Sequence, residues 1–261
     1  MSRGVGLPLL LGACTVGAVR WIEQQSFRLP IAARFLTALL PIVGGECTGH
    51  LLFWSSAKAS DRGAYLHHLV SSWTIAGLLW LGYIVGCWDC YQTTTDPSFV
   101  VLLAEVCGFF VSESFLFYWI HRLEHTDWLY RNSHHVHHTK YNLTYLDGDI
   151  LHVVDTVLNA QSMLLPAVLA YAGAGYRPHM LSWQCFLFGR QFMTTECHSS
   201  APESQRTILN WVPWYMPRSF HRSHHQECKE ANFGYFSFWE RAFGTYRLPR
   251  VYKQGDGIGS R

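Results

Sequence analysis

The sequence carries little charge. Of its 261 residues, 15% are charged and 49% are apolar, whereas soluble domains typically contain about 25% charged residues. A water-soluble surface is difficult to build from this composition. The formal net charge is only +2, so the charge balance gives no indication of nucleic-acid binding. Because 15% of the residues are aromatic, the composition favours a membrane protein with amphipathic rings at the bilayer interfaces.

A cysteine framework is also missing. The eight cysteines are scattered, mostly within apolar stretches, which is typical of reduced thiols that act as small apolar side chains. Cys87 and Cys90 have the spacing of a metal or redox motif, but no second cysteine pair or paired histidine accompanies them. The sequence therefore gives little support for a cysteine zinc site. Internal repeats and low-complexity tracts are absent as well.

The apolar residues are concentrated in windows. The one in residues 1–30 has no A-x-A cleavage pattern after it and is interpreted as a candidate membrane anchor. Residues 31–120 contain further windows near the roughly 20 residues that cross a bilayer, and they are predicted to be transmembrane helices. Residues 121–261 form a polar, histidine-rich catalytic region that is interrupted by an apolar hairpin at about 157–194.

This pattern predicts an all-α integral membrane protein. It would be a bundle of about four spanning or hairpin helices with a cytosolic helical cap that holds a histidine-rich site for two metals. Lys58, Arg62, Arg122 and Lys140 flank the histidine side of the windows, whereas the connection at 89–97 has neither Lys nor Arg. Since basic residues accumulate in cytoplasmic loops, the histidine segments are predicted to face the cytosol.

Histidine clustering is the strongest signal. Fifteen histidines are present, and most of them fall within 121–138 and 221–225, in the patterns HRLEH, HHVHH and HRSHH. Positions i, i+3 and i+4 share a helix face, so each set is predicted to aim its imidazoles at one point. One zinc takes about four ligands, so two metals are needed to use the eight histidines, and iron, copper, nickel and zinc all suit nitrogen ligands. The eight are His121, His125, His134, His137, His138, His221, His224 and His225.

Other ionisable groups complete the predicted site. His152 and His198 are candidates for the two coordination shells, whereas His135 lies off the shared face and is interpreted as structural. Glu105 and Glu113 lie inside an apolar window, where a charge is costly, and Glu113 is predicted to be a partner of His121. Carboxylates that could orient the ligating imidazoles are Glu124, Asp149, Asp155, Glu196 and Glu227.

The histidine motifs resemble those of a known family. FYWIHRLEH, HHVHH, HRSHH and the following NFGYFSFWERAFGTYR are similar to the fatty acid hydroxylase superfamily of sterol desaturases, methylsterol oxidases and sphingolipid hydroxylases. The resemblance covers about residues 113–247 and implies two irons held by the box histidines in the endoplasmic reticulum membrane. His198 and His152 resemble further family segments, although Ser200 replaces a Gly and Val153 replaces a Pro.

The resemblance also implies an activity. A diiron oxygenase of this type would use molecular oxygen to hydroxylate or desaturate a C–H bond of a membrane lipid, with a sterol or another long-chain lipid favoured. A cytochrome b-type electron donor and its reductase are implied as partners, and zinc could replace iron in purified protein. Two alternatives stay open. One is a zinc-dependent membrane hydrolase that uses a metal-bound water, and the other is a metal transport or storage membrane protein.

Overall fold

The computed structural model describes residues 40–45, 48, 87–140, 143–226 and 230–249. Over these ranges the chain is helical and contains no strand beyond two isolated bridges, Gln92 with His179 and Tyr215 with Phe236. The all-α prediction is therefore confirmed for the described residues. The candidate anchor in 1–30 and most of the windows before residue 87 lie outside them, so the number of spans stays a prediction.

Helices account for most of the region that surrounds the histidines. Short 3-10 segments at Trp88–Cys90, His134–Thr139, Asp147–Asp149 and Ile208–Trp211 connect them. The α-helices from residue 87 onward are α1 (Phe99–Glu124), α2 (Asp127–Asn132), α3 (Val153–Ala174), α4 (Met180–His198), α5 (Arg218–Gln226) and α6 (Ser237–Ala242).

Helices α1 and α3 are long and apolar enough to cross a membrane. α1 begins at Phe99, and the preceding Ser98 caps it, because the Ser98 hydroxyl accepts a hydrogen bond from the Val101 N–H, a common N-cap arrangement. Its 26 residues extend about 39 Å at a rise of about 1.5 Å per residue, which exceeds the roughly 30 Å hydrocarbon core. α3 ends at Gly175, which has a left-handed backbone with φ of 63°. These two helices support membrane association.

Helix α4 differs from the other limb of the predicted hairpin. Of the two limbs, α3 is long and apolar enough to span a membrane and α4 is not. Most α4 residues are buried, and they include the polar Gln184, Arg190 and Glu196. Both α3 and α4 pack against α1. The hairpin is therefore an apolar helix followed by a buried helix that contains several polar side chains.

Glu105 joins α1 to the turn between α3 and α4. Its carboxylate accepts hydrogen bonds from the Ser182 hydroxyl at 2.5 Å, the Tyr176 hydroxyl at 2.5 Å and the His179 backbone N–H at 3.1 Å. The buried charge in this apolar window thus receives several donors, which is what a buried carboxylate requires. Glu105 and His179 therefore hold α1 to the start of α4.

Candidate metal centre

Nine histidines lie in two neighbouring groups. Within each group, one ligand-capable atom per residue lies within 4.8 Å of the others. The five-histidine group consists of His121, His125, His134, His138 and His224, and the four-histidine group consists of His137, His198, His221 and His225. Segments separated by about one hundred residues of sequence therefore converge on one small region of the fold.

The prediction that each H-x-x-H-H set aims at one point is wrong. In HRSHH, His221 and His225 belong to the four-histidine group, while His224 belongs to the five-histidine group. Helix geometry explains the division. At about 3.6 residues per turn, positions i and i+4 differ by about 40°, whereas i+3 and i+4 differ by about 100°. HHVHH is a 3-10 segment, to which these α-helical angles do not apply, but it is divided as well, with His134 and His138 on one side and His137 on the other.

The three remaining histidines of the sequence analysis lie at different places in the fold. His198 at the end of α4 belongs to the four-histidine group. His152 lies outside both groups at the N-cap of α3, where its Nδ1 accepts a hydrogen bond from the Val154 N–H at 3.3 Å. His135 is exposed and outside both groups, as its position off the shared face predicts.

Backbone carbonyl oxygens fix the orientation of several of these rings. A carbonyl can only accept a hydrogen bond, so a ring nitrogen that contacts one carries the proton, and the other ring nitrogen presents a lone pair. The Nδ1 atoms that make such contacts are those of His121 with Phe233 (2.6 Å), His224 with Ala231 (2.7 Å), His198 with Thr194 (2.8 Å) and His137 with Ile150 (3.3 Å).

This arrangement fits bound metal ions. The Nε2 atoms of His137 and His198 are 3.3 Å apart, and because both Nδ1 atoms face carbonyls, both Nε2 atoms present lone pairs with no hydrogen between them. Two such lone pairs repel each other, and a cation bound to both nitrogens would remove this repulsion. In the other group, the Nε2 of His125 is buried and has no hydrogen-bond partner among the residues that the structure describes. The donor set is all imidazole, which suits iron, copper, nickel or zinc.

Burial also keeps the rings in the form that binds metal. It lowers the pKa of His138 and of His225 far below the ordinary value, and the neighbouring histidines lower both pKa values further. A neutral imidazole is the metal ligand. Both rings are therefore neutral and able to bind a cation at physiological pH.

Two of the predicted orienting carboxylates lie beside the five-histidine group. Glu124 Oε2 is 3.8 Å and Asp155 Oδ2 is 3.7 Å from Nδ1 of His134, and both side chains are fully buried. Asn159 donates to Glu124 at 3.0 Å. Two other candidate carboxylates have partners that are not histidines: Asp149 accepts a hydrogen bond from Gln191, and Glu196 pairs with Arg218. Glu227 lies outside the described residues.

Glu113 pairs with Arg190, so the prediction that it is a partner of His121 is wrong. Arg190 donates from Nε to Glu113 Oε1 at 2.6 Å, and its guanidinium lies over the rings of Tyr235 at 4.3 Å and Phe117 at 4.9 Å. Glu113 lies eight positions before His121, which corresponds to about 12 Å along a helix. A shared helix face is therefore not sufficient for contact.

The segment after α5 connects the five-histidine group to α1. Glu240 is buried and accepts hydrogen bonds from the Gly234 N–H at 2.6 Å and the Thr245 hydroxyl at 2.5 Å. Thr245 also contacts the Tyr118 hydroxyl of α1 at 2.9 Å. These bonds hold the backbone that presents the Phe233 carbonyl to His121.

A cavity of about 90 Å³ lies beside the histidines. Its apolar wall includes Phe117, Leu151 and Met163, and its polar wall includes Asn159 and Arg190. Histidines of both groups line it as well, namely His121, His134, His137, His198 and His221. A small reacting group in this space would therefore be next to both candidate metal positions.

Fold and site together define a helical protein with two all-histidine centres next to apolar helices. The fatty acid hydroxylase family model matches residues 106–245, which is more than half of the chain. The chain belongs to the fatty acid hydroxylase family, and the match confirms the resemblance of its histidine motifs.

Curated relatives of known name are similar to the chain over part of their length. It is 31% identical over 168 residues to Very-long-chain aldehyde decarbonylase GL1-11 of Oryza sativa subsp. indica, a match that covers 62% of the chain and 60% of the relative. It is 29% identical over 168 residues to Methylsterol monooxygenase 2-2 of Arabidopsis thaliana, over 61% and 60%. Methylsterol monooxygenase 1 of Gallus gallus is 26% identical over 164 residues, covering 63% of the chain and 53% of the relative. No solved structure matches the chain.

Sequence reasoning missed two kinds of participant. Backbone carbonyls such as that of Phe233 leave no residue signature, so their contacts with the rings are not readable from the sequence. The buried arginines Arg190 and Arg218 did carry a signal. Arg190 lies within an apolar stretch, and a charge there is as informative as Glu105 or Glu113.

Proposed function

We propose that this protein is a membrane-bound oxygenase that holds two iron ions on histidines and uses molecular oxygen to oxidise a C–H bond of a lipid. The observation that carries the proposal is the pair of adjacent all-histidine groups, in which ring nitrogens approach one another beside a cavity. An all-nitrogen donor set at each of two neighbouring positions is suited to redox metals with open coordination positions.

Each group has its own role in this proposal. The five-histidine group would hold one iron and the four-histidine group the other, and bound iron would supply oxygen activation. His198 is included as a ligand, whereas His152 is left out because its Nδ1 bonds the backbone of α3. Glu124 and Asp155 orient the His134 ring from its far side.

The cavity would position the reacting part of the substrate. Its apolar residues Phe117, Leu151 and Met163 limit the entry of water, which protects a strong oxidant from side reactions. Arg190 is held between Glu113 and two aromatic rings, so its charge stays at a fixed place in the wall. A cavity of about 90 Å³ admits the reacting end of a lipid and leaves the rest of the molecule outside.

The names of the relatives support a lipid substrate. They include a very-long-chain aldehyde decarbonylase and methylsterol monooxygenases. We propose a sterol or another long-chain lipid as the substrate and hydroxylation as the reaction, with desaturation as the alternative outcome of the same hydrogen removal. The proposed location is the endoplasmic reticulum membrane with the centre facing the cytosol. A cytochrome b-type protein and its reductase would supply electrons.

Metal content and oxygen use test the proposal together. The full chain is purified gently in lipid nanodiscs, its metals are measured, and oxygen consumption is recorded after reduction in the presence of membrane lipids. About two irons per chain, oxygen consumption that depends on the reductant, and a hydroxylated or desaturated lipid in the mass spectrum are expected. Stoichiometric zinc without oxygen consumption, in protein produced with iron in excess, would support the hydrolase or the metal-storage alternative instead.

A further inference from the structure

The connection between α4 and α5 exposes two tryptophans. Trp211 is 77% exposed and Trp214 is 66% exposed, with Val212 and Pro213 between them. Large aromatic side chains usually bury most of their surface, so two exposed tryptophans in a four-residue segment form an apolar patch that needs a partner. We call this segment, residues 211–214, the tryptophan loop.

The fold holds the tryptophan loop in its outward position. Trp214 has a φ of 60°, in the left-handed region that non-glycine residues adopt only at an energetic cost. Its carbonyl accepts a hydrogen bond from the Ser237 N–H at 2.8 Å, and the Met216 N–H donates to the Tyr235 carbonyl at 2.9 Å. A costly conformation that is fixed by backbone bonds indicates that exposure of the rings is a stable property of the fold.

A chain of aromatic contacts connects the tryptophan loop to α1. Trp214 contacts Phe238 with ring centroids 6.3 Å apart, Phe238 contacts Trp239 at 4.9 Å, and Trp239 contacts Phe115 at 4.9 Å. The Trp239 indole also donates to the Ser114 hydroxyl at 3.0 Å. The loop is thus continuous with the side of α1 that Phe115 occupies.

That side of α1 is the one suited to contact lipid. Val111, Phe115, Trp119 and Leu123 are spaced four residues apart and are all exposed, as expected for an apolar stripe on a spanning helix. Phe115 lies about 24 Å along the axis from Phe99, the first residue of α1. With Phe99 placed at one edge of a hydrocarbon core about 30 Å thick, Phe115 is close to the opposite boundary, on the side of the histidines.

We infer that the tryptophan loop inserts into the headgroup region of the bilayer on the side where the histidine groups lie. Tryptophan is enriched at this depth because its ring is apolar and its N–H finds a polar partner. The inference rests on membrane association and not on the metal or the reaction. The loop continues into Tyr215, which donates to Glu196 of α4, so the lipid contact is attached to the helix that ends at His198.

Tryptophan fluorescence tests the inference in the full chain. The protein and its Trp211→Phe/Trp214→Phe variant are placed in phosphatidylcholine nanodiscs, with or without bromine near the top of the acyl chains. The difference between the two emission spectra isolates the two loop tryptophans, and the lipid without bromine is the matched control. Metal content and helical circular dichroism of the variant establish that it is folded.

The expected result is that brominated lipid removes at least half of the difference emission, because bromine quenches only indoles that it contacts. Iodide in the aqueous phase should quench it little. Strong quenching by iodide with none by bromine would place the loop in water and overturn the inference. Protection from both quenchers would also overturn it, because protein would then cover the loop. The single variants Trp211→Phe and Trp214→Phe give the same readout if the double variant is poorly folded.

Discussion

Arg218 donates from Nη2 to Glu196 Oε1 at 2.7 Å, and this fully buried ion pair joins the two helices that supply three of the four histidines in the four-histidine group. Glu196 lies two residues before His198 in α4, and Arg218 lies three residues before His221 in α5. The Nε2 atoms of these two histidines are 2.8 Å apart. The ion pair therefore sets the distance between two candidate metal ligands without contacting a metal itself.

Replacing Glu196 with Gln should reduce the metal content from about two ions per chain towards one. Loss of one partner of a buried pair leaves the other charge uncompensated, which costs about 3–5 kcal/mol. Elemental analysis and the thermal unfolding midpoint in nanodiscs measure both effects.

The matched control is Asp127→Asn, which alters a surface pair with Arg131 whose atoms are 3.5 Å apart and largely exposed. Such pairs contribute about 0–1 kcal/mol, so this variant should keep both metals. If Glu196→Gln bound metal as fully as the control, the ion pair would have no positioning role.

The HHVHH segment offers a comparison between neighbouring histidines. His137→Ala should abolish turnover and lower the metal content while the protein stays in the membrane, because His137 belongs to the four-histidine group. His135→Ala should retain metal and turnover, because this side chain is exposed. Metal analysis of membrane-extracted protein and product analysis distinguish the two. Equal behaviour of both variants would contradict the grouping.

Gly148 limits the space around His198. A Cβ at this position would lie 3.0 Å from Nδ1 of His198 and 3.0 Å from Thr194 Cγ2. Gly148→Ala should therefore displace the ring from the Thr194 carbonyl, with an overpacking cost of about 1–3 kcal/mol and weaker metal binding in the four-histidine group. Competition with a chelator measures the metal affinity.

Gly173 provides the control for this variant, because a Cβ there meets nothing within 4 Å. Gly173→Ala should bind metal like the original protein and be as stable or slightly more stable, since Ala is the better helix former. If both variants had the same chelator resistance, contact with His198 would not limit the site.

Stability should fall steeply with acidification. Burial lowers the pKa of His138, His221 and His225 far below the ordinary value. Below about pH 6.5 the unfolded chain binds protons at these positions and the folded chain does not, so protons favour unfolding. Each ring contributes about 1.4 kcal/mol per pH unit, or about 4 kcal/mol per unit for the three.

Unfolding midpoints between pH 8 and pH 5 measure this dependence, with and without a chelator. The midpoint should be nearly constant above pH 7 and should decline below pH 6.5 in both cases, because bound metal also requires neutral rings. His135→Ala should leave the slope unchanged. A midpoint that does not change down to pH 5 would contradict the burial of the rings.

Much of the site was predictable because histidine spacing is a local property. The motifs identified eight of the nine clustered histidines, and the apolar hairpin placed His198 near them. The shared-face rule missed the angle of about 100° between positions i+3 and i+4 of an α-helix, and which group each ring joins depends on where its segment packs in the fold. The pairing of Glu113 with Arg190 depends in the same way on the packing of α1 against α4, which the sequence does not encode locally.

The fold shows a similar contrast. α1 and α3 were predictable from length and hydropathy, since their apolar residues form long uninterrupted windows. The polar residues of α4 were visible in its sequence, but the segment was predicted as part of an apolar hairpin at about 157–194, because Gln184 and Arg190 are few among apolar neighbours. Their partners in the fold make burial tolerable.

Each H-x-x-H-H segment contributes histidines to both candidate metal positions, so the two positions share the same backbone segments. An ion that binds at one position orders the segment that also supplies the other, which lowers the entropic cost of the second binding event. The two ions should therefore load cooperatively, and partially loaded preparations should consist mainly of empty and doubly loaded chains.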